Sequence, residues 1–270
     1  MTIVDPTLDS ELPGGPETGA SAEYVRALDR GLSVLHAFGP DTSALTLAEV
    51  AKTVELSPAT TRRLLMTLHA LGYVRTDGRT WSLAPRVLEF GHAYLATNRT
   101  WDIVRTRLED LAREVGESTS AGVLDNDDVL YTVRVPYRRI MSMDIEVGTR
   151  IPAFASSMGR VLLAAQSGVD FAGLLSRAPA DRTLYTVKSV TALKRAVQRA
   201  GRDGFCLVEQ ELEAGVQCVA APVHDQGQTI AAVAISAHTG RVSPDEMRER
   251  ILPALLVAAA DINRSLALRF

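Results

Sequence analysis

Ser57-Pro58-Ala59-Thr60-Thr61-Arg62-Arg63-Leu64-Leu65 is the stretch on which the reading of this chain turns. Thr61, Leu64, Leu65, Leu68 and Leu71 recur at helical spacing, so one face of a helix can be buried. Ser57 is a good N-cap, and Pro58 suits the first helical position, where a missing N–H costs nothing. Gly72 stops the helix. The opposite side carries Ala59, Thr60, Arg62, Arg63 and Met66, a face with two adjacent cations. Upstream, Thr46-Leu47-Ala48-Glu49 is a capping-box pattern that opens a helix to about Val54, with Leu47, Val50 and Ala51 as its apolar side. Glu55-Leu56 is a short turn. Downstream, Tyr73-Val74-Arg75-Thr76 runs into the hairpin signal Asp77-Gly78, and Arg79-Thr80-Trp81-Ser82-Leu83 returns.

Helix, turn, helix, hairpin is the order of a winged helix-turn-helix, a mostly α N-terminal domain. Two adjacent arginines, or one Asp-Gly turn, are each commonplace on a solvated surface. The order, short spacing and caps together point to DNA. The second helix is expected to enter the major groove, with Ser57, Thr60 and Arg62 meeting base edges and Ala59 on the same face. Arg63, Arg75 and Arg79 are expected to touch mainly phosphate.

The rest of the chain sets bounds on this reading. At 270 residues it is long enough for two domains. Its 46% hydrophobic and 23% charged content is that of a globular protein. A net charge of −3 excludes a basic nucleic-acid coat, so any DNA contact must come from a local patch. Cys206 and Cys218 form no CxxC pair, which suggests a reducing, cytoplasmic compartment. No apolar run reaches membrane-spanning length, and no basic-then-apolar leader opens the chain.

Residues 1–21, rich in Pro, Gly and acids, read as a disordered tail, followed by the DNA-binding domain over 22–84. Its first helix starts near Glu23, with Val25, Leu28, Leu32, Leu35 and Phe38 as a stripe packed beneath the helix pair. Residues 85–98 read as a linker helix whose exposed apolar residues suit a dimer contact. From 99 to 270 the pattern is a second domain. A helix with Ile103, Leu108, Leu111 and Val115 inward is stopped by Gly116. A hairpin then spans Ser118–Leu124 and Val129–Arg134, and a strand carries Met141, Met143, Ile145 and Val147 on one side. Ser156-Ser157-Met158-Gly159 leads into a helix, and another covers about Ala192–Arg202. Strands Val216–Val223 and Thr229–Ala237 precede a C-terminal helix opened by Ser243, with Leu252, Leu255, Leu256 and Ala259 inward. Short strands with hairpin turns argue an α+β domain on a mainly antiparallel sheet.

No catalytic residues are assigned. GxSxG, P-loop, HExxH and GxGxxG patterns are absent, the five histidines are scattered, and the cysteines lack histidines at metal spacing. No metal or other cofactor is expected. A binding pocket is a better reading of the second domain. The Ser156–Gly159 loop enters a helix, where amides and dipole favour a carboxylate. Cys218 and Ala220, with Ala232, Ala234 and Ser236, put small side chains on one face and leave room. Met141 and Met143 can line it adaptably. The same residues fit equally a plain N-cap and close helix packing.

The order of motifs resembles the IclR family of bacterial transcriptional regulators over roughly residues 23–268. The carrying residues are Arg26–Leu32, Leu47–Ala51, Ser57–Val74, Pro152–Ala164, and Glu209–Gly215 followed by Val219–Val223. Arg134-Val135-Pro136, Arg138–Met141 and Val147–Arg150 are similar to the branch that controls the β-ketoadipate pathway of aromatic catabolism. The resemblance implies a GAF-like effector domain and a homodimer, often paired into tetramers, on double-stranded operator DNA. It also implies a small organic acid held by Ser156–Gly159 and by the strands carrying Cys218 and Ser236. Some members place an acidic residue ahead of the pocket cysteine; here Val208 stands there, with Glu209 beside it, which suits a less hydrophilic or aromatic effector. Arg134 is open to two roles, carboxylate partner or surface residue.

Overall fold

A computed structural model describes residues 24–39, 42–97, 99–137, 145–177 and 183–268. Two compact units divide the chain, one running to Thr97 and one starting at Asn98. The tail reading of residues 1–21 lies outside the described residues, as do Met141 and Met143.

In the first unit α1 covers Arg26–His36, α2 Leu47–Thr53 and α3 Pro58–Ala70. The capping box at α2 forms as its residue types require: Thr46 N–H donates to Glu49 Oε2 at 2.7 Å, and Glu49 N–H donates to Thr46 Oγ1. Thr61, Leu65 and Leu68 are the buried side of α3. Leu71, expected in that stripe, is exposed, because it is the C-cap where the chain turns away. The hairpin is β2 (Val74–Thr76) with β3 (Thr80–Leu83), and the short β1 (Leu45–Thr46) adds an outer strand, giving the order β1-β3-β2. The α1 stripe is a second correction. Val25, Leu28 and Leu32 are exposed, and only the C-terminal end of the helix, with Val34, Ala37 and Phe38, enters the core beside Val50, Leu65 and Val74. A 3₁₀ turn at Pro85–Val87 leads into α4 (Leu88–Thr97). Arg86 Nη1 donates to Leu71 O at 2.9 Å and its guanidinium lies over Tyr73, whose ring stacks on Phe90 at 5.5 Å. The start of α4 is thus tied to the wing.

The second unit is a six-stranded antiparallel sheet in the order β6-β5-β4-β9-β8-β7. Its strands are β4 (Ser118–Asp125), β5 (Asp128–Val135), β6 (Arg150–Pro152), β7 (Cys206–Glu209), β8 (Val216–Asp225) and β9 (Gln228–His238). Register decides what each face carries. Thr119, Ile235 and Val219 stand in one cross-strand row and Ala121, Val233 and Ala221 in the next, all essentially buried. This face packs on α5 (Thr100–Val115) and on α10 (Leu252–Ala267), which follows the single turn α9 (Pro244–Glu246), and Thr119 Oγ1 donates to Leu108 O across the contact.

The other face carries smaller residues, in rows Ser118–Ser236–Cys218–Val208 and Ser120–Ala234–Ala220–Cys206. Small side chains let α6 (Ser157–Ala164) approach closely, with α7 (Phe171–Ser176) and α8 (Val190–Asp203) outside it. A bulge in the β4–β5 pairing at Ala121/Gly122 opposes Tyr131 to Gly122 and Arg134 to Ser120. Tyr131 and Arg134, three apart in sequence, therefore share the α6 face.

Two more expectations change here. The strand read through Ile145 and Val147 is a turn where it is described: Gly148 takes φ +93°, Thr149 N–H returns to Glu146 O, and the strand paired with β5 starts at Arg150. In the C-terminal helix Leu256 is exposed while Leu252, Leu255 and Ala259 are inward. A π-helical turn at Met247–Ile251 ahead of Pro253, which lacks an N–H, resets the helical phase between Ser243 and α10.

Candidate DNA-binding face and effector cavity

On α3 the N-cap serine is exposed, and Thr60 N–H donates to Ser57 Oγ while Ser57 Oγ donates to Thr60 Oγ1 at 2.9 Å. The Thr60 hydroxyl hydrogen stays available to a base edge. Ala59, Arg62, Arg63 and Met66 are exposed beside it. The guanidinium groups of Arg62 and Arg63 make no hydrogen bond or ion pair with the described residues, so their charge faces solvent alone. On the wing Arg75 and Arg79 are also exposed; Arg75 Nε donates to Ser82 Oγ at 3.1 Å. Between them Asp77 is spent on the turn. Its carboxylate accepts from the Thr80 and Arg79 amides, which hold it below the usual carboxylate range. The wing tip thus offers a cation with its only nearby acid already bound to backbone.

In the second unit a cavity lies between the α6 face of the sheet and the start of α6. Ser156, Ser157, Met158, Cys218 and Ser236 line it together, with Ala234 between the strands. About 410 Å³ of unfilled space lies among the lining residues, mouth included. Ser156 and Ser157 are both buried. Ser156 Oγ accepts from Gly159 N–H at 3.0 Å, the N-cap bond. That consumes the third amide of the helix, and the Ser157 and Met158 amides are left, as in any first turn, without a carbonyl inside the helix. Gly159 does not line the cavity. A Cβ there would sit 2.1 Å from Ala153 O, so the glycine serves the close approach of α6 to the preceding turn. Ala220 is fully buried behind the lining. Cys218 Sγ donates to Ser236 Oγ at 3.3 Å, and burial pushes its thiol up, so it is a neutral donor at neutral pH.

Residues 92–264 match the C-terminal domain of the bacterial transcriptional regulator IclR, and residues 27–78 match the IclR helix-turn-helix domain. The chain belongs to the IclR family. It is 38% identical to the Pca regulon regulatory protein of Pseudomonas putida, over 90% of this chain and 85% of that one. A solved structure of a transcriptional regulator from Rhodococcus sp. RHA1 is 41% identical, with 90% of this chain and 98% of that one covered and a TM-score of 0.76. An IclR homologue from Microbacterium hydrocarbonoxydans, solved in complex with 4-hydroxybenzoate, is 25% identical, with 89% and 98% covered and a TM-score of 0.75. This IclR-family chain is a DNA-binding transcriptional regulator with a C-terminal α+β effector domain.

Several cavity residues of this IclR-family chain escape sequence reading. Tyr131 on β5, Ile151 on β6 and Ile145 from the turn before β6 form one wall, and Glu211 and Leu212 form another from the loop after β7. Val208, whose apolar character stood out against the family pattern, lines the cavity itself, and an acid still reaches that corner three residues on, as Glu211. Glu211 Oε2 accepts from Arg160 Nη2 at 2.6 Å and from Val187 N–H at 2.9 Å. Arg160 also donates from Nε to Phe154 O, and its side chain is 5% exposed. A buried arginine on the cavity helix therefore pins the loop that forms the far wall. No sequence spacing connects residues 160 and 211. Arg160, a lone cation directly before the apolar run Val161–Ala165, is the hint in the sequence that some acid must meet it. Among the described residues no group of His, Cys, Asp and Glu is placed to hold a metal ion, and no helix is long and apolar enough to cross a membrane.

Proposed function

We propose that this regulator senses a small organic acid of aromatic catabolism in the cavity below α6 and transmits occupancy to operator binding by its winged helices. The single observation that carries this reading is the convergence of Ser156, Ser157, Cys218 and Ser236, from a helix start and two distant strands, on one cavity with mostly apolar walls. Apolar walls with a few convergent polar groups suit a compact organic ligand. The similarity to the Pca regulon regulatory protein and to a homologue holding 4-hydroxybenzoate supports the aromatic class. The domain senses its ligand and does not turn it over.

The DNA-reading residues are Ser57, Ala59, Thr60 and Arg62, with Arg63, Arg75 and Arg79 on phosphate. The effector-contacting set is Ser156, Ser157, Met158, Cys218 and Ser236, with Gly159 and Ala220 shaping the space around them. The working form is a cytoplasmic homodimer. Val25 at the N-cap of α1, Leu28 and Leu32 on that helix, and Leu88, Phe90 and Tyr94 on α4 are exposed in the first unit, an apolar surface that a second copy would cover. The ligand shifts DNA affinity only if it binds one arrangement of the dimer more tightly than the other.

The closed inner part of the cavity takes only a water-sized group, so an aromatic acid must displace lining side chains on entry. Melting of the purified chain against 4-hydroxybenzoate, other hydroxybenzoates, pyruvate and glyoxylate tests the reading. One class should stabilise the protein selectively, by about 2.7 kcal/mol at a hundredfold excess over Kd. Cys218→Leu, which fills the cavity, should abolish the shift. No shift with any acid would leave a constitutive DNA-binding protein with a structural second domain.

A further inference from the structure

Arg134 is the cation on the cavity side of the sheet that has no counter-ion. Its Nη1 donates to Ser120 Oγ at 3.3 Å, and its buried Nε–H has no acceptor among the described residues. No ion pair among the described residues includes it. The buried Arg160, by contrast, has Glu211, and on the same unit Arg107 pairs with Asp261, Arg150 with Asp125 and Asp128, and Arg241 with Glu117. The β4–β5 bulge is what turns Arg134 to this side. Its row runs through Ser120 to Ala234, which lines the cavity, and the next row holds Ser236 and Cys218. Tyr131, on the same face, is a cavity wall. Burial depresses the guanidinium, and its electrostatic neighbours are Tyr131 and Cys218, both on the cavity. Burial holds the Tyr131 phenol well above its usual value, so it supplies a neutral hydroxyl and no charge.

Resting on the sensor reading above, we propose that Arg134 is the anion anchor of the effector cavity: the ligand's carboxylate binds its guanidinium at the Cys218–Ser236 end, and the apolar body lies against Ile145, Ile151 and Met158. A cation held out of water without a partner is costly, and an arriving carboxylate repays that cost with charge-assisted hydrogen bonds. The same logic makes the anchor a filter, because a neutral analogue would leave the guanidinium unpaired.

The test is calorimetric titration of the full chain with 4-hydroxybenzoate and with its neutral isostere 4-hydroxybenzamide, in wild type and in Arg134→Met. Wild type should prefer the acid by roughly 10–100-fold, and Arg134→Met should lose that preference while binding the amide as before. Unliganded Arg134→Met should melt no lower than wild type, since it removes an unpaired buried charge; a purely structural arginine would make it melt lower. Retained preference for the acid in the variant overturns the anchor. Equal binding of acid and amide by wild type overturns it too, even if the variant does not fold, and leaves the cavity standing. Binding of neither compound, nor of benzoate, to wild type brings down the sensor reading and the anchor with it.

Discussion

The two units place their working residues in opposite ways. On the winged helix the residues assigned to DNA lie within 57–79, are mostly exposed, and the side chains of Arg62 and Arg63 have no partner among the described residues. In the effector unit the cavity draws on residues from Tyr131 to Ser236; Ser156 and Ser157 are buried, Ser156 is bonded to the Gly159 amide and Cys218 to Ser236. A surface that meets a highly charged, solvated partner must keep its cations free. A cavity that takes a small molecule must exclude water, so its polar groups need internal partners until the ligand arrives. Mutations in the second unit should therefore act first on stability, and mutations in the first on affinity alone.

The largest expected effect is on the buried pair. Arg160→Met leaves Glu211 with no cation and unpins the far wall of the cavity, and should cost about 3–5 kcal/mol. Urea unfolding followed by hydrogen exchange should place that loss in the residues after 98, with the winged helix unchanged; equal loss in both units would blur the comparison. Gly159→Ala comes next. The added methyl meets the Ala153 backbone, and the strain should cost about 1–3 kcal/mol or more, seen as a lowered Tm with operator affinity retained.

On the other unit, Arg62→Ala should leave Tm within experimental scatter and weaken operator binding by about 1–3 kcal/mol relative to random DNA, if its fork meets a guanine. Equal losses on both DNAs would make Arg62 a phosphate contact and sharpen the division of labour along α3. Arg79→Ala should weaken all sequences alike and lower the salt slope by about one. The smallest effect is pH-dependent. Asp77 is held below its unfolded pKa by the Thr80 and Arg79 amides, so its contribution to the wing is complete above the unfolded pKa and is lost as pH falls through the folded one. Asp77→Asn should flatten that acid limb in an NMR titration of the hairpin amides.

How much of this was legible follows the same division. The α2 capping box, the Ser57 cap with Pro58, the Asp77-Gly78 hairpin and the Ser156 and Ser243 caps are all contacts within four residues, and each forms as its residue types require. Misreadings came where the neighbour decides. Val25, Leu28 and Leu32 have the spacing of a buried stripe, yet no element among the described residues of this unit covers them. Leu256 fell out of phase because a π-helical turn intervened.

Helix caps, the Asp77-Gly78 turn, the exposed arginines and the family are legible in the residues alone, because those rest on local hydrogen bonds, backbone freedom and motif order. Which residues share the cavity is set by the folded chain. The β4–β5 bulge turned Tyr131 and Arg134 to one face, strand register set Cys218 opposite Ser236, and chain folding brought Glu211 to Arg160. In a sheet a shift of one residue moves a side chain to the other face, and nothing in the local sequence of either strand records where that shift falls.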